Sequence, residues 1–185
     1  MRRDVGEVFI QLFDVALESW LGIEPNLCVF RTTCGDALVL EHNGDLYSCD
    51  HYVYPEHRLG NIMDQPLEAL ASSAQQRKFG ADKLDALPKL CRVCPVRFAC
   101  NGECPKHRFL ITGDGEGGLN YLCAGYIKFF RHIDYPMRFM AEEFRNELPP
   151  ANVMSWMREQ DSIPRRRNAL CYCGSGKKYK QCHGR

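Results

Sequence analysis

Long apolar runs are missing from this sequence. None reaches eighteen residues, so no membrane-spanning helix and no membrane partner are expected. The opening MRRDVGEVF lacks the apolar core and small-residue cleavage site of a signal peptide, which makes the cytoplasm the expected location. Net charge is nearly lacking as well, at +1, but the small total hides an uneven distribution. Residues 164–185 hold seven bases and no acid, which leaves the first 163 residues at −6. A basic tail suits an acidic surface or nucleic acid. Solvation alone explains it as well, and thiolates bound to a metal in the tail would lower its charge, so nucleic acid is not the expected partner. No internal repeat occurs beyond the return of cysteine-rich motifs. With 45% hydrophobic and 25% charged residues, the 185-residue chain reads as one soluble domain of ordinary size with a small appendage.

What the chain has in excess is cysteine, eleven in all. With no export signal, a disulfide framework is disfavoured, and the spacings are those of metal ligands. The densest stretch, CRVCPVRFACNGECP (91–105), holds Cys91, Cys94, Cys100 and Cys104. With Cys28, Cys34, Cys49 and Cys123 these make eight, two sets of four. Four thiolates satisfy either a structural zinc or an iron–sulfur cluster. The C-x2-C step places Cys91 and Cys94 in one site, which Cys100 can fold back to join. Regular zinc ribbons pair two such hooks, and here there is one. Cys28, Cys34 and Cys49 are separated by five and fourteen residues, a spread that suits a large cluster better than a single ion. Spacing alone leaves both metals open.

Around the cysteines the expected fold class is α+β, with a β-hairpin, metal-held loops and flanking helices. Apolar residues at i, i+3 and i+4 predict a helix over 4–20, capped by Asp4 with Glu7 three residues on. Residues 37–49, ALVLEHNGDLYSC, predict a hairpin with a two-residue Asn43-Gly44 turn. That register sets Leu40 against Tyr47 and Leu38 against Cys49, and carries Cys49 inward. A helix is expected over 66–79, started by Pro66 and stopped by Gly80. Residues 91–123 read as loop, with a turn at TGDGEGG (112–118). Residues 124–147 read as helix broken near Pro136, ended by Pro149-Pro150, and 150–167 as a linker.

C-x5-C-x14-C, then C-x2-C-x5-C-x3-C, then a further cysteine, resembles the SPASM auxiliary-cluster domain of radical S-adenosylmethionine enzymes. The runs CGDALVLEHNGDLYSCDHYVYPEHRLGNI (34–62), FGADKLDALPKLCRVCPVRFACNGECPKHRF (79–109) and LNYLCAGYIKFFRHI (119–133) resemble the anaerobic sulfatase-maturating enzymes. The resemblance implies two 4Fe-4S clusters, the first on Cys28, Cys34, Cys49 and Cys104, the second on Cys91, Cys94, Cys100 and Cys123. Full ligation by cysteine leaves no open iron, so substrate is not expected to bind either cluster directly. The implied reaction oxidises a Cys or Ser of a sulfatase, or a related peptide, to Cα-formylglycine. A third cluster on a C-x3-C-x2-C motif cleaves S-adenosylmethionine to a radical, and the auxiliary clusters carry away the extra electron. No C-x3-C-x2-C occurs in this chain. S-adenosylmethionine chemistry is therefore expected only through a missing or separate core, and the chain alone is expected to be inactive.

The resemblance further divides the chain into 1–24, like the end of a radical core barrel, the SPASM domain at 25–149, the linker, and a zinc motif at 168–185. It makes Asp50 the candidate catalytic base, a carboxylate expected to have a raised pKa beside a cluster. Without the resemblance, Asp50 reads as the cap of the turn after the hairpin. With the thiol count complete, His51, His57 and His107 read as surface or supporting groups. Tyr52, Tyr54, Phe98 and Phe109 read as packing around the clusters rather than as a substrate cage.

The tail NALCYCGSGKKYKQCHGR (168–185) is a separate signal. C-x-C followed by Cys-His offers Cys171, Cys173, Cys182 and His183, a Cys3His set suited to tetrahedral zinc. Gly174 and Gly176 permit the tight turns. So short a segment cannot bury a useful core, so the ion is expected to supply its folding energy. It resembles the SEC-C motif of the preprotein-translocase motor ATPase, with Tyr172 where a proline is usual, and the resemblance implies docking of a protein partner. The competing reading of the whole chain is a non-enzymatic interaction module with zinc in every site.

Overall fold

The computed structural model describes residues 3–173, 175–182 and 184. In chain order the elements are α1 (Gln11–Leu21), β1 (Val39–Leu40), β2 (Asp45–Tyr47), β3 (Arg58–Asn61), α2 (Leu67–Ala71) and α3 (Ala74–Asp85). Then come α4 (Lys89–Arg92), α5 (Arg97–Cys100), α6 (Cys123–Arg145) and α7 (Val153–Ser162), with short 3-10 turns between. The class is α+β. No helix among the described residues is long and apolar enough to cross a membrane. The chain divides into two compact units, residues 24–124 and residues 1–23 with 125–185.

In the unit of residues 24–124, a three-stranded antiparallel sheet runs in the order β1-β2-β3. Its register corrects the two-residue turn. Val39 pairs with Tyr47 and Leu40 with Leu46, so the loop is His42-Asn43-Gly44, closed by Glu41 N–H to Asp45 O at 2.9 Å. A type I′ turn needs positive φ at both Asn43 and Gly44. Only Gly44 has it, at +88°. Asn43 instead accepts a hydrogen bond from Asp45 N–H at 3.1 Å. A one-residue slip exchanges the faces of a strand. Leu46 and Ser48 are the residues that point inward, at 2% and 0% exposure, while Cys49 follows the end of β2. The third strand gave no sequence signal: its RLGN carries a base and a glycine. Gly60 is needed there because a Cβ would meet Leu70 Cδ2 at 2.6 Å, and Leu70 is a core residue.

The helix expected over 66–79 is two helices. Ser73 caps α3, accepting a hydrogen bond from Gln76 N–H at 3.2 Å, which favours a fresh start there. Gly80 does not stop α3. It lies inside the helix and provides a close backbone approach to Cys34. The region read as loop, 91–123, contains the end of the single-turn helix α4, all of the single-turn helix α5 and a bridge between Leu110 and Leu119. Thr112 N–H to Glu116 O at 2.7 Å closes its TGDGEGG turn.

The other unit is helical. α1 begins at Gln11, seven residues later than the sequence predicts, because Asp4 and Gly6 take φ of +68° and +88° and break the helical path. Gly22, left-handed, ends it. α6 runs unbroken through Pro136. An interior proline costs about 3 kcal/mol. Burial of Phe130, Ile133, Met137 and Met140 along the same helix offsets that, at roughly 1.5–3 kcal/mol per large side chain. Trp20 Nε1 donates to Asp134 Oδ1 at 3.0 Å, tying α1 to α6. Much of the stretch read as linker is α7. It buries Val153 completely and stacks Trp156 on Phe139 with centroids 4.4 Å apart.

Candidate metal centres

A recess in the unit of residues 24–124 is lined by Cys28, Cys34, Cys49 and Cys104, together with Lys83, His51, Tyr52 and Phe79; its atom-free space is about 440 Å³, part of it open to solvent. Different elements deliver the four thiols. Cys28 opens a 3-10 turn. Cys34 is anchored by its N–H to Gly80 O at 3.1 Å. Cys49 follows β2, and Cys104 caps the 3-10 turn Pro105–His107. Burial pushes the Cys49 thiol up to about 12, and raises Cys34 and Cys104 as well. Without metal these are neutral thiols, and binding would release their protons. Four converging sulfurs are a soft donor set, which fits iron–sulfur or zinc rather than calcium or magnesium.

The second group lies at helix ends. Cys91 is in α4 and Cys94 follows it, with Cys94 N–H to Cys91 O at 3.1 Å. Cys100 ends α5 and Cys123 begins α6. Burial, then the field of Cys123, Cys91 and Cys94, pushes Cys100 up to about 12. Cys91 is raised by burial and then by Cys123 and Cys94. The structure thus brings Cys91, Cys94, Cys100 and Cys123 into one electrostatic neighbourhood, and the other four around the recess. Between Cys100 and Cys104 the chain makes three left-handed residues in succession, Asn101, Gly102 and Glu103, at φ +45°, +72° and +55°. Asn101 Nδ2 donates to Phe30 O at 2.8 Å. Buried Glu103 bonds His107 Nδ1 at 2.8 Å and accepts from Asn120 Nδ2 at 2.5 Å. No sequence signal marked this network as a whole, because Glu103 and His107 are four residues apart but Asn120 and Phe30 are distant in the chain.

Asp50 is exposed and accepts a hydrogen bond from Cys49 Sγ at 3.1 Å. That bond holds its carboxyl below the usual range, the reverse of the raised value expected from desolvation. The thiol donor favours the charged form and outweighs the slight desolvation of this exposed carboxylate. Cys49, Asp50 and His51 offer donor atoms within 4.8 Å of one another. His57 packs edge-on against Tyr52 and Phe79. Tyr52 lines the recess, while Tyr54, Phe98 and Phe109 are exposed. Phe109 stacks instead on Tyr121, at 5.2 Å.

In the tail, Cys171, Cys173 and Cys182 offer sulfurs within 4.8 Å of one another, with Cys173 and Cys182 3.6 Å apart. A bridge between Leu170 and Lys178, with Cys171 N–H to Lys177 O at 2.8 Å, folds the strand back. Gly176, at φ +69°, makes the turn. His183 and Gly174 lie outside the described residues. Tyr172 fills the position of the usual proline. Its ring sits 5.7 Å from that of Tyr135 in α6, beneath the Arg165 guanidinium at 4.3 Å.

Residues 28–95 match the SPASM iron–sulfur cluster-binding domain and residues 167–185 the SEC-C motif. A serine-type anaerobic sulfatase-maturating enzyme of Bacteroides thetaiotaomicron is 49% identical over 159 residues, which are 86% of this chain and 38% of that enzyme. Among solved structures, hexahistidine-tagged anSMEcpe with bound AdoMet superposes with a TM-score of 0.63 at 30% identity, over 81% of this chain and 39% of that one. Native anSMEcpe with bound AdoMet and the Kp18Cys peptide gives the same TM-score at 31% identity, over 75% and 38%. The chain therefore spans well under half the length of these relatives.

Proposed function

We propose that this chain, similar to the SPASM-bearing part of the anaerobic sulfatase-maturating enzymes and ending in a SEC-C motif, is the auxiliary-cluster part of a radical S-adenosylmethionine protein-modifying enzyme. The observation that carries the reading is the recess in which Cys28, Cys34, Cys49 and Cys104 converge from four separate stretches. These residues would hold one 4Fe-4S cluster, and Cys91, Cys94, Cys100 and Cys123 a second. Bound there, the clusters supply one-electron redox chemistry. The chain's own residues hold them apart through the Cys100–Cys104 crossover, burying Cys91 and Cys104 and leaving the others half-buried except for exposed Cys28.

A peptide related to the sulfatases is the proposed substrate, in keeping with the peptide-bound relative. The cleavage of S-adenosylmethionine belongs to a core domain with its own C-x3-C-x2-C, supplied by further sequence or a separate protein. Asp50 is the proposed base for a substrate proton. Its accessibility favours this, and its bond from the Cys49 S–H is lost once that sulfur is a ligating thiolate. Cys171, Cys173, Cys182 and His183 are the proposed zinc ligands, on a motif that docks a protein partner.

Metal analysis of anaerobically reconstituted chain tests the reading. Roughly eight iron and one zinc per chain are expected, with a brown colour from broad absorption near 400 nm. A colourless protein with zinc in every site overturns it in favour of an interaction module. Asp50→Asn should keep the iron yet abolish formylglycine formation when a core is supplied. Unchanged turnover removes Asp50 from the chemistry.

A further inference from the structure

Among the described residues, two cations of the cysteine-bearing unit have no carboxylate partner. Lys83, in α3, is fully buried and lines the recess. Its Nζ donates to the carbonyls of Cys28 and Val29, at 2.7 and 3.1 Å. Arg108 is partly buried, and its guanidinium also meets backbone. Nε donates to Gly102 O at 2.9 Å, Nη1 to Lys83 O at 2.6 Å, and Nη2 to Asn101 O and Glu103 O at 2.8 and 2.9 Å. Among the described residues no carboxylate forms an ion pair with either.

Burying a charge is costly unless an opposite charge meets it. Carbonyl dipoles soften that cost but do not cancel the charge. Besides repelling one another, these two charges act chiefly on the cysteines. Lys83 acts on Cys34, Cys28 and Cys104, all of the recess. Arg108 acts on Cys91 and Cys100 of one group and on Cys34 and Cys104 of the other. Arg108 is also the mould of the crossover. The three left-handed residues between Cys100 and Cys104 all turn their carbonyls to it. Gly102, at φ +72°, takes a left-handed conformation that favours glycine, and a Cβ there would crowd Leu87 Cδ2 and the Arg108 Nη2.

We propose that Lys83 and Arg108 are the fixed counter-charges of the two clusters, Lys83 serving the first alone and Arg108 shared between both while it holds the crossover that separates them. The inference rests on the cluster reading above. Four thiolates bring more negative charge than an iron–sulfur core neutralises, and a nearby cation favours the more negative, reduced state. Each cation therefore raises the midpoint potential of the cluster it faces.

The test is an electron-paramagnetic-resonance redox titration of the anaerobically reconstituted chain. Cys104→Ala and Cys123→Ala assign each signal to its site. Lys83→Met, similar in length and neutral, should shift the first cluster's midpoint to more negative potential and leave the second's in place. Arg108→Gln should shift both negative, and Arg108→Lys, which keeps charge but loses the fork, should shift both less. If Arg108→Gln does not retain iron, Lys83→Met decides. A first midpoint unmoved in Lys83→Met, or both moved equally, overturns the proposal while leaving the cluster reading intact. A parent chain that takes up no iron overturns the cluster reading, and this proposal with it.

Discussion

Gly80, in the middle of α3, lies directly against the backbone of Cys34. A Cβ at position 80 would stand 2.5 Å from the Cys34 carbonyl oxygen, and the Gly80 carbonyl accepts the Cys34 N–H at 3.1 Å. One thiol of the recess is thus positioned by a helix far along the chain.

Gly80→Ala follows from that contact. Alanine is intrinsically the better helix former by about 1 kcal/mol. Here its methyl meets backbone, which cannot swing aside as a flexible side chain can. The variant should lower the melting temperature and reduce iron bound at the recess, with the Cys91 group little affected. Iron per chain and a thermal melt check this; unchanged values in both would show that the loop yields freely.

Cys104→Ala and Cys100→Ala separate the two ends of the crossover. Each leaves one group of four with three thiols. The expected result is loss of different electron-paramagnetic-resonance signals, the recess signal in Cys104→Ala and the other in Cys100→Ala. Loss of the same signal in both variants would mean that all four cysteines of 91–105 share one site.

Asp45 makes a pH prediction. Its carboxyl accepts from Arg58 Nη2 at 2.5 Å and from Asn61 Nδ2 at 3.0 Å. Chiefly the Arg58 bond holds its pKa at about 2, below the ordinary 3.8. A depressed folded-state pKa contributes stability that is full above the unfolded value and is lost as pH falls through the folded one. The acid limb of the stability curve should therefore carry a component between about pH 4 and pH 2 that Asp45→Asn removes. Denaturant melts across that range would show it, and parallel curves for parent and variant would exclude it.

The tail makes a metal prediction. Cys171→Ser should abolish zinc binding without changing iron content, and should open residues 168–185 to limited proteolysis, because the segment has little core of its own. Tyr172→Ala should keep the zinc but raise protease sensitivity, since it removes the ring packed on Tyr135. An identical digestion rate in Tyr172→Ala would show that the ring is idle.

The cysteine spacings, the tail motif and the helical apolar stripes were legible because their signals are local. Liganding patterns and periodicity are carried by neighbouring residues. The hairpin was legible as a hairpin, but its register was not. Asn43-Gly44 suits a two-residue turn, and only the hydrogen bond from Asp45 N–H to Asn43, with the partner strand β3, selects the three-residue loop. Gly80 reads locally as a helix stop. Its use as a landing point for Cys34 depends on a chain segment far away. Pro136 reads as a break, and burial along α6 overrides it.

Soft-metal ligands dominating this chain, eight cysteines in one region and three in the tail, and a tail too short to bury a core are all legible from the residues alone. Residue type and short spacing suffice for that. Tertiary packing sets the rest: the recess that Cys28, Cys34, Cys49 and Cys104 line, the exposure of Asp50 with its carboxyl held low, and the place of Lys83 and Arg108 among the cysteines, where they donate to backbone carbonyls. Those are facts of long-range packing and of the field it creates, which no local pattern encodes.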